Sequence, residues 1–119
     1  MPEQYDKWFV RFYPPGDDEG PVRKAIRAVQ DPQERREIAL WIKQLQEFGP
    51  GHWMSVQRVK KVRSSREGLL ELRIRAKQNY RILFCCQGHI IWLLHFFAKK
   101  KQDLDRQDVE LADRRARQL

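Results

Sequence analysis

The chain lacks the features that mark secreted, metal-binding and membrane proteins. Its two cysteines, Cys85 and Cys86, are adjacent, so they cannot close a relaxed disulfide, and no CxxC pair exists to hold zinc. The longest apolar run, residues 90–98, is interrupted by His95, and a membrane helix needs about 20 apolar residues. No signal peptide is recognisable at the N-terminus. We therefore expect a reduced, cytoplasmic protein with no metal, no cofactor and no membrane partner.

What the chain does have is a core and an excess of positive charge. Its 119 residues fit one domain, residues 1–119, and 41% of them are hydrophobic, which is enough to bury a core. Lys and Arg number 24 against 16 acids, for a net charge of +8. Such a balance favours a polyanionic partner, which can be a nucleic acid, an anionic membrane surface or an acidic protein.

The positive charge is concentrated in one segment. Residues 58–101 hold twelve Lys or Arg and only two acids, Glu67 and Glu71, which gives +10, while the rest of the chain carries −2. Blocks of like charge repel one another and are typical of a surface that serves a partner. We expect a functional basic face here, although any single Lys or Arg can equally be an ordinary solvated residue.

The first half of the chain predicts helices. Asp31-Pro32 followed by Glu34 has the form of a capping box with proline at the first helical position. The helix it begins carries an apolar stripe from Ile38 to Phe48 and turns Glu34 to water, and Gly49-Pro50-Gly51 is expected to end it.

The order of the elements predicts an α+β fold. Alternating or apolar segments at 69–75, 80–86 and 90–97 indicate a three-strand antiparallel meander, and residues 52–66 are less regular. An N-terminal strand at 7–13, a short amphipathic helix with apolar residues from Val22 to Val29, the helix that starts at Asp31-Pro32 and a C-terminal helix capped by Asp103 or Asp105 complete the chain. We expect the helices on one face of the sheet and the other face free.

The alternation of side chains predicts a cluster of cations on that free face. Leu70, Leu72 and Ile74 should pack under the helices, which turns Glu71, Arg73 and Arg75 to the other side. Antiparallel neighbours lie about 5 Å apart, so Arg73 and Arg81 can meet there, beside the lysines at 99–101. Guanidinium groups placed in this way suit a phosphate. The alternative is that Arg73 pairs with Glu71 or Glu67, and Arg81 with another acid.

The sequence leaves two possible roles open for each of two further residues, Glu71 and His95. Glu71 is either a charge partner of an arginine or a general base. His95, on a core-like strand, is either a hydrogen-bonded packing residue or an acid–base catalyst.

Four motifs in order resemble the RelE/ParE toxin superfamily, and most closely its phage-derived, HigB-like branch. They are Leu70-Glu71-Leu72-Arg73, Tyr80-Arg81-Ile82-Leu83-Phe84, Leu94-His95-Phe96-Phe97-Ala98-Lys99-Lys100 and Glu110-Leu111-Ala112. The resemblance implies a RelE-like fold and the toxin of a type II toxin–antitoxin system that cleaves messenger RNA on the ribosome. It also implies a partner, a cognate antitoxin of the helix-turn-helix, HigA-like kind, in a hetero-oligomeric complex.

The resemblance also assigns the site residues. Arg73, Arg81, Lys99 and Lys100 are the expected catalytic residues. The residues themselves leave the acid and the base open: a lysine crowded by cations is one candidate, and Glu71 and His95 are the others. The surrounding basic residues, expected to bind RNA, are Lys60, Lys61, Arg63, Arg75, Lys77 and Lys101. Two other functions share such a scaffold: a ParE-like gyrase poison without catalysis, and a non-enzymatic RNA-binding module.

Overall fold

The computed structural model describes residues 7–17, 19–100 and 104–119. The elements are, in chain order, β1 (Phe9–Phe12), α1 (Pro21–Arg27), α2 (Pro32–Ser55), β2 (Val59–Lys61), β3 (Leu70–Arg75), β4 (Asn79–Gln87), β5 (Ile90–Ala98) and α3 (Arg106–Arg117). The predicted α+β class and the order of its main elements are confirmed. None of the helices in these ranges is long and apolar enough to cross a membrane.

The strands form one five-stranded sheet in the order β1-β5-β4-β3-β2. The predicted meander is its centre, since β3 pairs with β4 and β4 with β5, both antiparallel. β1 joins the other edge parallel to β5. The sequence prediction missed β2, which pairs with β3. A three-residue strand that contains two lysines has almost no apolar alternation to reveal it.

One face of the sheet is covered by α1 and α2. The core on this face joins Val22 of α1 and Ile38 and Leu45 of α2 to apolar side chains from the strands, among them Leu72 and Ile82. Each of these side chains is at most 1% exposed. The alternation that placed Leu72 and Ile74 under the helices is therefore correct.

The sequence analysis predicted that the opposite face would be free, and this is wrong, because α3 packs on part of it. Val109 and Ala112 of α3 lie against Leu83, Cys85 and Leu94 in a second, smaller core. Apolar side chains on that face of β4 and β5 need cover, and the inward stripe of α3 provides it. The rest of the second face, beyond α3, carries the charged residues. Asp105 occupies the N-cap position of α3 without a capping hydrogen bond from its side chain; Asp103 lies outside the described residues.

The first helical run of α2 ends at Gly49, as the sequence predicted. Gly49 has φ 80° and ψ 162°, so the helix breaks there, but Pro50 starts a further helical segment that reaches Ser55. Proline is well suited to the first position of a helix. A Cβ at Gly49 would lie 2.4 Å from Nε1 of Trp8, so the glycine also allows β1 to approach.

The prediction that Glu34 faces water is wrong. Its side chain is 6% exposed, and it accepts hydrogen bonds from the backbone N–H of Gln78 at 3.0 Å and from the hydroxyl of Tyr80 at 2.7 Å. Asp31 alone caps the helix, by accepting from the N–H of Gln33 at 2.8 Å. Glu34 therefore connects the start of α2 to the β3–β4 turn by hydrogen bonds. No local sequence pattern predicts this tertiary contact.

Candidate functional site

The site begins with two arginines on neighbouring strands. In the register of β3 and β4, Arg73 lies directly opposite Arg81, as the alternation predicts. Residues opposite each other on one face have Cβ atoms about 5 Å apart, so two guanidinium groups start from adjacent positions. Both project from the face opposite α1 and α2.

The carboxylate of Glu71 forms ion pairs with both arginines. Glu71 Oε1 accepts a hydrogen bond from Arg73 Nε at 3.0 Å, and Glu71 Oε2 lies 3.3 Å from Arg81 Nε. The Glu71 residue is only 3% exposed. The alternative in which the arginines pair with nearby acids is therefore observed, but with one acid between two bases. The three groups together carry one net positive charge.

Arg81 is the more enclosed of the two arginines, with 11% of its side chain exposed against 29% for Arg73. Its Nη1 donates to the backbone oxygen of Tyr80 at 3.0 Å. Although Arg81 Nε and Glu71 Oε2 are within ion-pair distance, their orientation makes no hydrogen bond, and both atoms are buried without another partner among the described residues. The internal pair thus leaves hydrogen-bonding capacity at Arg81 unused.

Burial lowers the pKa of Arg81 from its usual value. The Glu71 carboxylate opposes this effect, and the positive charges of Arg73 and Arg75 add to it. An arginine nevertheless stays protonated in proteins. The guanidinium is therefore a fixed cation held in a partly desolvated place, where its attraction for an anion is less screened than in water.

The predicted lysines lie at the end of β5. The backbone N–H of Lys99 donates to the oxygen of Asn79 at 2.7 Å, and Asn79 is the register partner of Arg75. Lys99 thus lies two register positions beyond Arg81, and Lys100 next to it is exposed. Lys101 is outside the described residues.

The residues expected to bind RNA divide into two groups. Lys60 is the register partner of Glu71, and Arg75 is exposed at the end of β3, so both share the face of the arginine pair. Lys61 and Arg63 are exposed at and just after the edge strand β2. Lys77 lies apart, because its ammonium group pairs with Asp31 at 2.8 Å, on the side of the sheet that α2 covers.

His95 reaches the second face through an irregularity in the sheet. The pairing of β4 and β5 shifts between Leu83 and Phe84, so that Leu83 faces His95 while Phe84 faces Leu93. The extra residue, Leu94, breaks the alternation, and bulges of this kind redirect side chains. As a result His95 shares a face with Arg81, while Leu93 packs under α1 and α2.

His95 is held by a residue that the sequence did not reveal. Its Nε2 lies 2.6 Å from Oδ1 of Asp108 in the first turn of α3. Burial lowers the pKa of His95, an effect that the hydrogen bond and charge of Asp108 oppose and the charge of Arg115 reinforces. An acid in the first turn of the last helix is the sequence signal for Asp108, but it gains meaning only once α3 is known to cover β5.

Comparison with models of protein families gives a match over residues 26–117, to the family described as phage derived protein Gp49-like. The match runs from the end of α1 to the end of α3. It includes the arginine pair, Glu71, His95 and Asp108. No curated protein and no solved structure matches the chain.

Proposed function

The chain belongs to the phage-derived Gp49-like family, a RelE-type, toxin-like family, and from this premise we propose that it is the toxin of a type II toxin–antitoxin system. Within that system we propose a HigB-like messenger RNA endoribonuclease that acts on the ribosome. The reaction is attack of a ribose 2′-hydroxyl on the adjacent phosphate, without a metal ion.

The observation that carries this proposal is the pair of arginines around one carboxylate. Arg73 and Arg81 lie opposite each other, and among the described residues Glu71 is the one acid that forms ion pairs with them. Like charges directly opposite in a sheet cost stability, so the arrangement favours an additional anion. A phosphate matches the donors of a guanidinium group in number and direction.

Each residue then has a role in the reaction. As the bond from O2′ to phosphorus forms and the bond from phosphorus to O5′ breaks, negative charge grows on the phosphoryl oxygens. Arg81 and Arg73 bind those oxygens, and Lys99 or Lys100 donates a proton to the leaving O5′. The products are a 2′,3′-cyclic phosphate and a 5′-hydroxyl.

Of the two acid–base candidates, His95 is the better suited to take the 2′-hydroxyl proton. Both oxygens of Glu71 face arginines, and the residue is 3% exposed, so its carboxylate is occupied in holding the cations. His95 shares their face and keeps one ring nitrogen outside its hydrogen bond to Asp108.

The basic face also supports the proposed partners. Lys60, Arg75 and Lys100 extend the positive surface around the pair and suit ribosomal or messenger RNA, whose binding by such a surface weakens steeply with salt. An antitoxin of the helix-turn-helix, HigA-like kind, with an acidic segment, would complement the same charge in the cytoplasm.

Substitution of Arg81 by alanine tests the proposal. Removal of one donor to a developing oxyanion costs about 3 kcal/mol, so Arg81→Ala should lower the rate of mRNA cleavage on ribosomes by about 100-fold or more. Arg36→Ala, which removes an exposed arginine of α2, is the matched control and should cleave at the wild-type rate. Primer extension on a defined message measures both.

Three outcomes would contradict the proposal in different ways. Full activity of Arg81→Ala means that the phosphate is not bound at this pair. Intact transcripts with accumulated DNA breaks in cells that express the wild-type chain would favour a gyrase poison. Binding of RNA without either lesion would favour a non-enzymatic module.

A further inference from the structure

We propose that Asp108 is a positioning residue for catalysis: it holds His95 in the tautomer and orientation in which Nδ1 removes the proton of the 2′-hydroxyl. This inference rests on the proposed function and extends the site from the sheet to α3. It gives the C-terminal helix a part in the chemistry.

The sheet register brings His95 within reach of the phosphate site. Arg81 faces Phe97, and Leu83, two residues further along β4, faces His95. His95 and Arg81 are therefore diagonal neighbours on one face, and such pairs are about 7 Å apart. The ring of His95 also stacks on Phe97, with centroids 4.8 Å apart and planes at 26°. The imidazole thus lies on the same face as the arginine pair, one strand away from Arg81.

The hydrogen bond to Asp108 determines which nitrogen is available. A carboxylate accepts and does not donate, so at 2.6 Å the proton lies on Nε2 of His95. Nδ1 then carries the lone pair. Nδ1 accepts no hydrogen bond from any residue in the described ranges, and the His95 side chain is 15% exposed. This is the arrangement in which a histidine acts as a general base.

The charges around His95 favour a neutral ring at pH 7. Burial lowers the pKa of the imidazole, and Arg115 of α3 acts in the same direction, while Asp108 raises it. The side chain of Arg115 is held in place, since its Nη1 donates to the backbone oxygen of Leu94 at 2.7 Å. From β4, Arg81 is the charged neighbour. Once His95 takes a proton, Asp108 stabilises the imidazolium.

The proposed step balances as follows. His95 Nδ1 takes the 2′-hydroxyl proton while O2′ bonds to phosphorus and O5′ leaves with a proton from the ammonium group of Lys99 or Lys100. Deprotonated lysine and protonated histidine then exchange protons with water. Because Asp108 belongs to α3, any partner that displaces this helix would release His95 and slow cleavage.

Single-turnover cleavage of a defined message on ribosomes tests the inference. General base catalysis contributes about 100-fold, so His95→Gln should lose about that factor, and Asp108→Asn about 10-fold, in rate rather than in substrate affinity. Asp108→Glu should recover part of the loss. The control is Glu110→Gln, in the same helix, whose exposed side chain pairs with Arg106 and should leave the rate unchanged.

The pH dependence separates catalysis from a structural role. In the wild-type chain the rate should rise with pH through the ionisation of His95 that NMR of its ring measures. Removal of the Asp108 carboxylate lowers the pKa of His95, so in Asp108→Asn the rise of the rate with pH should occur at lower pH. A wild-type profile that does not follow the ionisation of His95 overturns the inference, even if the variants fail to fold.

Failure of this inference is distinguishable from failure of the proposed function. If the wild-type chain cleaves and Arg81→Ala does not, but His95→Gln and Asp108→Asn match Glu110→Gln, the function stands and the His95–Asp108 pair is structural. If the wild-type chain leaves the message intact, both proposals fail together.

Discussion

The two faces of the sheet are formed by the same strands, but one is an apolar core and the other carries charged residues. Under α1 and α2, side chains such as Ile82 and Leu93 are fully buried in an apolar core, and the polar pair Glu34–Tyr80 is hydrogen-bonded. On the other face α3 covers one part, and the rest holds two arginines around one carboxylate. There, Arg81 Nε and Glu71 Oε2 are buried 3.3 Å apart, within ion-pair distance but without a hydrogen bond among the described residues. Arg23 Nε of α1 is likewise buried without a hydrogen bond among the described residues, so the two faces differ in charge: only on the second do two arginines of the described residues share one carboxylate.

The difference teaches where stability and function lie in this chain. Close packing and paired polar groups stabilise a fold. A buried ion pair is weak evidence for stability, and an arrangement with excess charge of one sign is favoured only when an anion joins it. The face under α1 and α2 is therefore the structural one, and the face that α3 partly covers is the one we assign to a partner.

The largest effect should come from the structural face. Ile82 and Leu83 are neighbours on β4, both 0% exposed, and they point to opposite sides of the sheet. Ile82→Ala should cost about 4 kcal/mol of unfolding free energy, while Leu83→Ala should cost about 2 kcal/mol because a single helix can shift to fill the cavity. Urea denaturation measures both. An equal or larger cost for Leu83→Ala would contradict the comparison.

A second effect should come from Glu71. Loss of one member of a buried ion pair costs about 3 kcal/mol, because the opposite charge is left without its partner. Glu71→Gln should lower the free energy of unfolding by that amount, and inorganic phosphate should restore more stability to the variant than to the wild type. Glu47→Gln, an exposed acid of α2, is the control.

Thermal unfolding at constant ionic strength measures the phosphate effect. Equal responses of Glu71→Gln and the wild type to phosphate would show that the arginine pair does not bind this anion.

The smallest effect should come from Tyr80. Burial, together with the hydrogen bond to Glu34, raises the pKa of Tyr80 from 10.0 to about 12. The protonated hydroxyl is favoured in the folded chain, so its contribution is complete below pH 10 and is lost as pH rises to 12. Between these limits the wild type should lose up to about 2 kcal/mol more than Tyr80→Phe, which lacks the hydroxyl. Urea denaturation measures the free energy of unfolding of both chains. If it falls equally in the two as the pH rises, Tyr80 ionises as readily in the folded chain as in the unfolded chain.

Much of the fold followed from local patterns. The alternation in β3 placed Leu72 and Ile74 under the helices and allowed Arg73 and Arg81 to meet on the other face, because in a strand the side-chain period is two and opposite residues share a face. The misses came from interactions between distant segments. β2 is too short and too charged to show a period, and α3 covers the sheet face that was expected to be free.

The sequence by itself determined the class of fold, the segment that carries the charge and the alternation that brings the two arginines together, since these depend on composition and on period. Only the tertiary structure decided that Glu71 is shared between both arginines, that the irregularity at Leu94 turns His95 to their face, and that Asp108 meets it. Those contacts join residues from separate strands and a helix, and their geometry depends on how the elements pack rather than on any local preference.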